Sequence, residues 1–200
     1  MNDNELNLKA FNMYGGFNQK GDEYHILNTK TPVPWCNVMA NEHFGTIVSS
    51  YGTVYSYYKN SQGFKISNWC NDWVSFKPGE SFEGIYDKEY NLIYGFGYTK
   101  VLQDDEGIEK EMTIFISSYE DVKIQRIKLK NNSNATKKVK ISYSIDPVMG
   151  VVKDINRNYI LCKKIDNGLE FKNPYSLEFS NCIPRRLHLR RSSPASAWTL

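Results

Sequence analysis

Residues 137–146, which read KKVKISYSID, carry the clearest structural signal in the chain. Val139, Ile141, Tyr143 and Ile145 alternate with polar residues, and this is the period of a β-strand with one buried face. β-branched and aromatic side chains also favour strands, because they pack well on a pleated surface. The segment therefore predicts a strand that lays one face against a hydrophobic core.

Similar alternation lies upstream of this stretch. Residues 112–116 alternate in the same way, whereas in residues 122–130 the apolar phase slips by one position. Such a slip predicts a β-bulge at residues 125–126. The polar turn at 131–136 is expected to join this strand to the one at 137–145 in a hairpin.

The first hundred residues show the same kind of pattern, with glycine and proline residues between the apolar segments. Further strands are predicted near residues 23–27, 45–50, 53–58, 82–87 and 92–102. No segment has a sustained helical period. Many short strands separated by regular turns predict an all-β antiparallel sandwich.

Composition excludes several classes of protein. With 200 residues, of which 40% are hydrophobic and 24% charged, the chain can bury a substantial core, so disorder throughout is excluded. It has no apolar run long enough for a transmembrane helix and no secretory signal at its start. We therefore expect a cytoplasmic protein with no membrane partner. Its four cysteines form no C-x-x-C pair, so reduced structural thiols are expected.

Charge and residue usage change sharply near the end of the chain. Residues 183–200 hold four arginines and no acid, lysine or asparagine. Residues 1–182 carry 19 Lys and 2 Arg against 22 acids, a net charge of −1, which argues against a nucleic-acid partner. We predict one domain over 1–182 and an atypical basic tail over 183–200 outside the fold. The tail is either the product of a shifted reading frame or foreign sequence, or a natural basic tail.

No catalytic constellation stands out among the ionisable residues. Acids such as Asp72 and Glu80 have no spacing that singles out a pair for glycoside hydrolysis. Residues 104–107, Asp-Asp-Glu-Gly, predict an acidic turn. Of the three histidines, His25 and His43 are expected to be packed or solvated rather than members of a catalytic triad. No catalytic residue and no metal ligand is assigned.

Residues 51–73 combine aromatic rings with amide and carboxylate groups, which suits a sugar. Rings cover the apolar C–H face of a pyranose, and polar groups hydrogen-bond its hydroxyls. The alternative is that about half of these aromatics simply pack the core. The candidate carbohydrate-facing residues are Tyr57, Asn60, Ser61, Gln62, Trp69, Asn71 and Asp72.

A series of short motifs resembles one family of carbohydrate-active enzymes in sequence and in order. The motifs are FNMYGGF at 11–17, TPVPWCNVMAN at 31–41, FGTIVS at 44–49, NWCND at 68–72, GFGYT at 95–99 and NPY at 173–175. They resemble glycoside hydrolase family 94, formerly glycosyltransferase family 36. Its members include cellobiose, chitobiose and β-1,2-oligoglucan phosphorylases and cyclic β-1,2-glucan synthases.

The resemblance implies an antiparallel supersandwich, a β-sandwich of the galactose-mutarotase-like kind. In the family this domain precedes a helical linker and an (α/α)6 barrel, which holds the general acid and the phosphate site for inverting phosphorolysis of β-glucosides. The resemblance ends near residue 180, so this chain is expected to be inactive by itself. No cofactor is implied, and inorganic phosphate is the co-substrate of the full-length enzymes.

Two classes of function remain open on these grounds. The first is the carbohydrate-binding N-terminal sandwich of a β-glucoside phosphorylase or glycosyltransferase, whose partners are a β-glucan-type oligosaccharide and the barrel or a partner subunit. The second is a stand-alone carbohydrate-binding module. A mutarotase-like enzyme would need histidines paired with a carboxylate, and three histidines make it the weakest alternative.

Overall fold

The computed structural model describes residues 7–69, 79–83, 88–166, 168–180 and 185–188. Strands dominate these residues, and every pair of neighbouring strands is antiparallel. The strands are β1 (Lys9–Asn12), β2 (Gly15–Phe17), β3 (Glu23–Ile26), β4 (Cys36–Ala40), β5 (Phe44–Ser49), β6 (Val54–Tyr58), β7 (Lys65–Ser67), β8 (Glu80–Glu83), β9 (Asn91–Gly95), β10 (Tyr98–Asp105), β11 (Ile108–Ile116), β12 (Lys123–Asn131), β13 (Ser142–Ile145), β14 (Pro147–Gly150), β15 (Leu161–Ile165), β16 (Gly168–Lys172) and β17 (Arg185–His188). Helix α1 (Lys153–Asn156), a 3-10 turn (Arg157–Tyr159) and helix α2 (Leu177–Ser180) are short. The predicted all-β antiparallel class is confirmed.

Three sheets organise these strands. The first sheet has the order β1-β2-β3-β9-β10-β11-β12. The second has the order β13-β8-β6-β5-β4, with β7 joining β6 to β14. A third, smaller sheet has the order β15-β16-β17. The first and second sheets form the two layers of the sandwich, because their apolar faces share one core.

The main core lies between those two sheets. The register of the first sheet aligns Ile26, Leu92, Val101 and Met112 in one row across four strands. These side chains pack in one cluster with residues of the second sheet, among them Val48, Val54, Met39 and Phe82. Each fully buried aliphatic side chain stabilises the fold by about 1.5–3 kcal/mol relative to exposure, so this row holds the layers together.

A second core joins the second sheet to the end of the chain. Phe44 and Ile66 of the second sheet pack with Met149, Phe171 and Phe179. Phe179 is the buried residue of α2, and Phe171 comes from the third sheet. The segment after β14 is thereby attached to the sandwich by its own apolar contacts.

Four local predictions are wrong. The strand predicted at 137–145 is confined to β13, Ser142–Ile145, which pairs with β8. Strands β12 and β13 lie in different sheets, so the turn between them carries the chain from one layer to the other and forms no hairpin. The β11–β12 register is continuous from Ile116↔Lys123 to Ile108↔Asn131, so no bulge interrupts it. Residues 92–102 are two strands, because Phe96 and Gly97 form a tight turn in which Gly97 has a φ of 81°.

The acidic turn was predicted correctly. Asp105 ends β10 and Ile108 begins β11, and these two residues face each other across the turn. Glu106 and Gly107 both have positive φ, at 52° and 78°, which is the geometry of a tight hairpin turn that matches strand twist.

Part of the predicted tail takes part in a sheet. Arg185–His188 form β17, which pairs with β16 through Phe171↔Arg185 and Gly168↔His188. The residues on both sides of β17 lie outside the described part of the chain, and the domain boundary at residue 182 stays a prediction. No helix within the described residues is long and apolar enough to cross a membrane.

Candidate functional site

The aromatic residues of the predicted site meet on the outer face of the second sheet. Tyr55 and Tyr57 are two positions apart in β6, so both point away from the core that Val54 enters. The ring centroids of Tyr55 and Trp69 are 5.2 Å apart, and those of Tyr55 and Tyr57 are 5.9 Å apart. Tyr55 is buried, with 2% of its surface exposed, whereas Tyr57 and Trp69 are partly exposed. The three residues Tyr55, Tyr57 and Trp69 are called the aromatic surface below, and Tyr57 and Trp69 supply its accessible part.

A glycine on the neighbouring strand makes room for one of these rings. Gly45 pairs with Tyr57 in the β5–β6 register. A Cβ atom at Gly45 would lie only 2.1 Å from Cζ of Tyr57, so the ring lies directly across the glycine. This contact explains the glycine of the FGTIVS motif, since any side chain at residue 45 would displace the Tyr57 ring.

The polar residues of the predicted site form the loop that follows β6. The Asn60 Oδ1 atom accepts the backbone N–H groups of Gln62 at 2.8 Å and Gly63 at 2.7 Å, which fixes the turn. The hydroxyl of Tyr55 donates to the carbonyl of Ser61 and ties the loop to the aromatic surface. Asn60, Ser61 and Gln62 are exposed beside the rings.

The structure thus brings five of the seven predicted residues together. Asn71 and Asp72 lie outside the described residues. Tyr55, the central ring, was missed, although its position two residues before Tyr57 is the signal that places both on one face. The role of these residues in sugar binding stays a prediction.

The aromatic surface offers neutral groups at physiological pH. Burial and the nearby hydroxyl of Tyr57 raise the pKa of Tyr55, so its hydroxyl stays protonated and donates. Lys59 is the nearest cation on the loop, and its Nζ atom lies 3.5 Å from a Glu178 carboxylate oxygen. Such a surface can stack against a ring and hydrogen-bond hydroxyls, but it supplies no acid–base pair.

Glu80, a candidate acid in the sequence, is a structural residue. Its side chain is 1% exposed, and its carboxylate accepts the hydroxyls of Ser56 at 2.6 Å and Ser67 at 2.9 Å. It also accepts the Tyr143 hydroxyl at 2.5 Å and contacts the Lys123 ammonium. Burial raises the pKa of Glu80, but Lys123 and these hydrogen bonds outweigh it and lower the pKa below its usual value.

A second polar cluster, on the outer face of the first sheet, was missed by sequence reasoning. Glu23 of β3 accepts a hydrogen bond from the Tyr98 hydroxyl and lies 3.2 Å from His25 Nε2 and 3.5 Å from Lys100 Nζ. The bond from Tyr98 lowers the pKa of Glu23 against a smaller effect of burial, and His25 and Lys100 lower it further. His25 is therefore packed in a strand, as predicted, yet it is also paired with a carboxylate.

Two antiparallel layers around one core, with a third small sheet attached, define an all-β supersandwich domain. The chain belongs to glycosyl hydrolase family 94, whose supersandwich-domain model matches residues 22–86 and 83–189. The family resemblance read from the motifs is confirmed, and so is the supersandwich fold.

Relatives of this chain include synthases and phosphorylases. It is 27% identical over 194 residues to the cyclic β-(1,2)-glucan synthase of Rhizobium meliloti, which covers 86% of this chain and 7% of that protein. It is 23% and 21% identical to the N,N′-diacetylchitobiose phosphorylases of Vibrio proteolyticus and Vibrio furnissii. Those two matches cover 73% and 80% of this chain and 21% and 22% of the relatives. The chain therefore spans between 7% and 22% of the length of these three relatives.

Proposed function

We propose that this chain is the carbohydrate-binding sandwich domain of a family 94 phosphorylase or glycosyltransferase acting on β-glucosides. The observation that carries the proposal is the aromatic surface, in which the partly exposed rings of Tyr57 and Trp69 flank the buried Tyr55 beside the exposed loop residues Asn60, Ser61 and Gln62. Its relatives are named as a cyclic β-(1,2)-glucan synthase and as N,N′-diacetylchitobiose phosphorylases, and these names support an oligosaccharide as the ligand.

The chemistry of the surface supports a neutral sugar. Stacked rings cover the C–H face of a pyranose, while amides and hydroxyls exchange hydrogen bonds with its ring hydroxyls. The chain is proposed to bind the glucan while a barrel domain or partner subunit performs the reaction with inorganic phosphate. By itself the chain is expected to release no phosphate from glucose 1-phosphate and an acceptor sugar.

Calorimetric titration with N,N′-diacetylchitobiose and with a β-1,2-linked glucose oligomer tests this proposal. We expect Trp69→Ala to weaken binding about fivefold to thirtyfold, because a stacked ring contributes on the order of 1–2 kcal/mol. Tyr119→Ala is the matched control, since Tyr119 is 97% exposed and remote from the rings in the chain. Equal affinity of Trp69→Ala and the control would exclude the aromatic surface as the binding site.

A stand-alone binding module is the second candidate. The lengths of the relatives, of which this chain matches between 7% and 22%, support a domain within a larger enzyme instead. The two candidates share the sugar-binding test, and phosphate-dependent activity of a longer polypeptide carrying this domain would distinguish them.

A further inference from the structure

The outer face of the first sheet carries two parallel rows of side chains. Strand register places Glu23, Gly95, Tyr98 and Phe115 in one row across β3, β9, β10 and β11. The next row, two residues along each strand, consists of His25, Ile93, Lys100 and Thr113. Both rows face away from the main core, because the residues between them in sequence point into it.

A depression lies between these rows at the β9–β10 turn. A Cβ atom at Gly95 would lie 2.3 Å from Cζ of Tyr98, so the Tyr98 ring leans across the glycine towards Glu23. The space beside the ring is a depression of about 460 Å³ lined by Gly97, Tyr98, Lys100, Thr113 and Phe115. The depression is shallow and open to solvent, which suits one sugar unit laid against its rings.

The lining combines rings with one unused hydroxyl. Thr113 is 6% exposed, and its Oγ1 atom has no hydrogen-bond partner among the described residues. A buried hydroxyl without a partner costs about 1–3 kcal/mol, and a ligand hydroxyl bonded to Thr113 would remove that cost.

The charges around the depression balance one another. Lys100 lies 3.5 Å from Glu23 and 5.1 Å from the centre of the Tyr98 ring. Arg126, which pairs with Thr113 in the β11–β12 register, lies 4.0 Å from Glu111. Since Lys100 and Arg126 each lie near a carboxylate, neither is an isolated cation that would select an anion. Donors and acceptors beside rings match an uncharged polyol.

We propose that this depression is a second carbohydrate site, which binds one pyranose unit of a neutral oligosaccharide. The proposal rests on the proposed function only for the class of ligand, because its residues lie on the opposite outer face of the sandwich from the aromatic surface. The sugar packs on the rings of Tyr98 and Phe115, and Thr113 and Lys100 hydrogen-bond its hydroxyls. A chain with two such faces holds one glucan strand at two points, or two strands at once.

The test is calorimetric titration of the full 200-residue chain with N,N′-diacetylchitobiose and with a β-1,2-linked glucose oligomer, together with the amide resonance of Gly97. Thr113→Val removes only the unpaired hydroxyl at constant shape, and Thr113→Ser is the matched control that keeps it. We expect two bound sugars per chain and a shifted Gly97 resonance. Thr113→Val weakens one site about threefold to tenfold, the effect of one lost hydrogen bond, without lowering the unfolding midpoint.

The two variants test the aromatic surface and the second site separately. If Trp69→Ala removes one site and the site that is sensitive to Thr113→Val persists, both proposed sites are supported. Loss of binding only in Thr113→Val refutes the aromatic surface and supports the second site. A single site that Trp69→Ala abolishes, with Gly97 unshifted, overturns the second site and leaves the aromatic surface. No binding of either sugar refutes both proposals.

Discussion

At the scale of single residues, three asparagines of the family motifs are structural. Asn37 donates from Nδ2 to the carbonyls of Gly95 and Tyr98 at 3.3 and 2.9 Å, and so ties the second sheet to the β9–β10 turn. Asn41 donates in the same way to the carbonyl of Ser117 at 3.0 Å, and Asn173 to that of Met149 at 2.9 Å. At these three positions, the side-chain amide satisfies backbone carbonyls of another segment.

Replacement of Asn37 by alanine tests this role. Asn37 also lies 3.0 Å from the Thr99 hydroxyl, so the substitution leaves two carbonyls and a hydroxyl without their donor. We expect the free energy of unfolding to fall by about 1–3 kcal/mol, measured by urea denaturation. Asn134→Ala, at an exposed position, is the control and should be neutral. An Asn37→Ala chain as stable as the control would show that these bonds contribute nothing.

The buried carboxylate of Glu80 predicts strong coupling with Lys123. Glu80→Gln keeps acceptors for Ser56 and Ser67 but leaves the Lys123 ammonium without its counter-charge at low exposure. We expect a loss of about 3–5 kcal/mol for Glu80→Gln, and a smaller loss when Lys123→Met is added, because a buried unpaired charge is the main cost. Additive effects of the two substitutions in a double-mutant cycle would refute the coupling.

The same carboxylate predicts how stability depends on pH. The folded state lowers the pKa of Glu80 below its unfolded value of 4.5, so its stabilisation is complete above that pH and is lost as the pH falls through the folded pKa. Wild type should therefore lose its advantage over Glu80→Gln below pH 4.5, by at most about 1.4 kcal/mol per pH unit. Denaturation of both chains between pH 7 and 3 measures this, and a constant difference would contradict it.

At the scale of elements, one device recurs on both outer faces. A tyrosine leans across a cross-strand glycine, Tyr57 over Gly45 in the second sheet and Tyr98 over Gly95 in the first. Each glycine lacks the side chain that would hold the ring upright, so each tyrosine lies flat along its sheet. Both candidate sugar sites thus depend on a glycine in the strand beside them.

Gly45→Ala tests this device. The added Cβ would lie 2.1 Å from the Tyr57 ring, so the ring must move, and we expect a loss of about 1–3 kcal/mol in thermal denaturation. Tyr57→Ala in the same chain removes the clash and should make Gly45→Ala nearly neutral. Gly63→Ala is the control, since its nearest neighbour would be Asn60 Oδ1 at 3.5 Å. An unchanged cost of Gly45→Ala without the ring would point to another cause.

At the scale of the whole molecule, the segment after β14 carries several large exposed apolar side chains. Large side chains there are Val151, Ile155, Leu161, Tyr175 and Leu177, with Leu177 92% exposed. Scattered apolar residues are normal on protein surfaces, but a run of them within one segment promotes association.

We expect the chain to self-associate through these exposed side chains, and Leu177→Lys with Ile155→Lys to reduce that association. Neither side chain is buried, so the substitutions should leave the unfolding midpoint unchanged. Sedimentation velocity at increasing concentration measures the effect. Val33→Lys, at another exposed apolar position, is the control. Association that is equal in the variant and the control would place the contact elsewhere.

The sequence by itself determined the all-β antiparallel class, the family and the turn at 104–107. These predictions depend on period-2 alternation, motif order and turn chemistry, which can be read from the sequence without knowledge of distant contacts. It also located Tyr57 and Trp69 in one segment, although Tyr55, the ring between them, needed the structure to show its contacts.

Tertiary structure alone decided how the strands pair and which polar groups meet. The chain leaves the first sheet after β12 because β13 pairs with β8 of the second sheet. The paired residues Ser142 and Glu83 are 59 positions apart in sequence, and no local pattern encodes so distant a partner. Glu23 meets Tyr98 and Lys100 for the same reason, since strand register across β3, β9 and β10 brings together residues more than seventy positions apart. Local periodicity fixes which face a side chain occupies, but only the packing of two sheets around one core selects its neighbours.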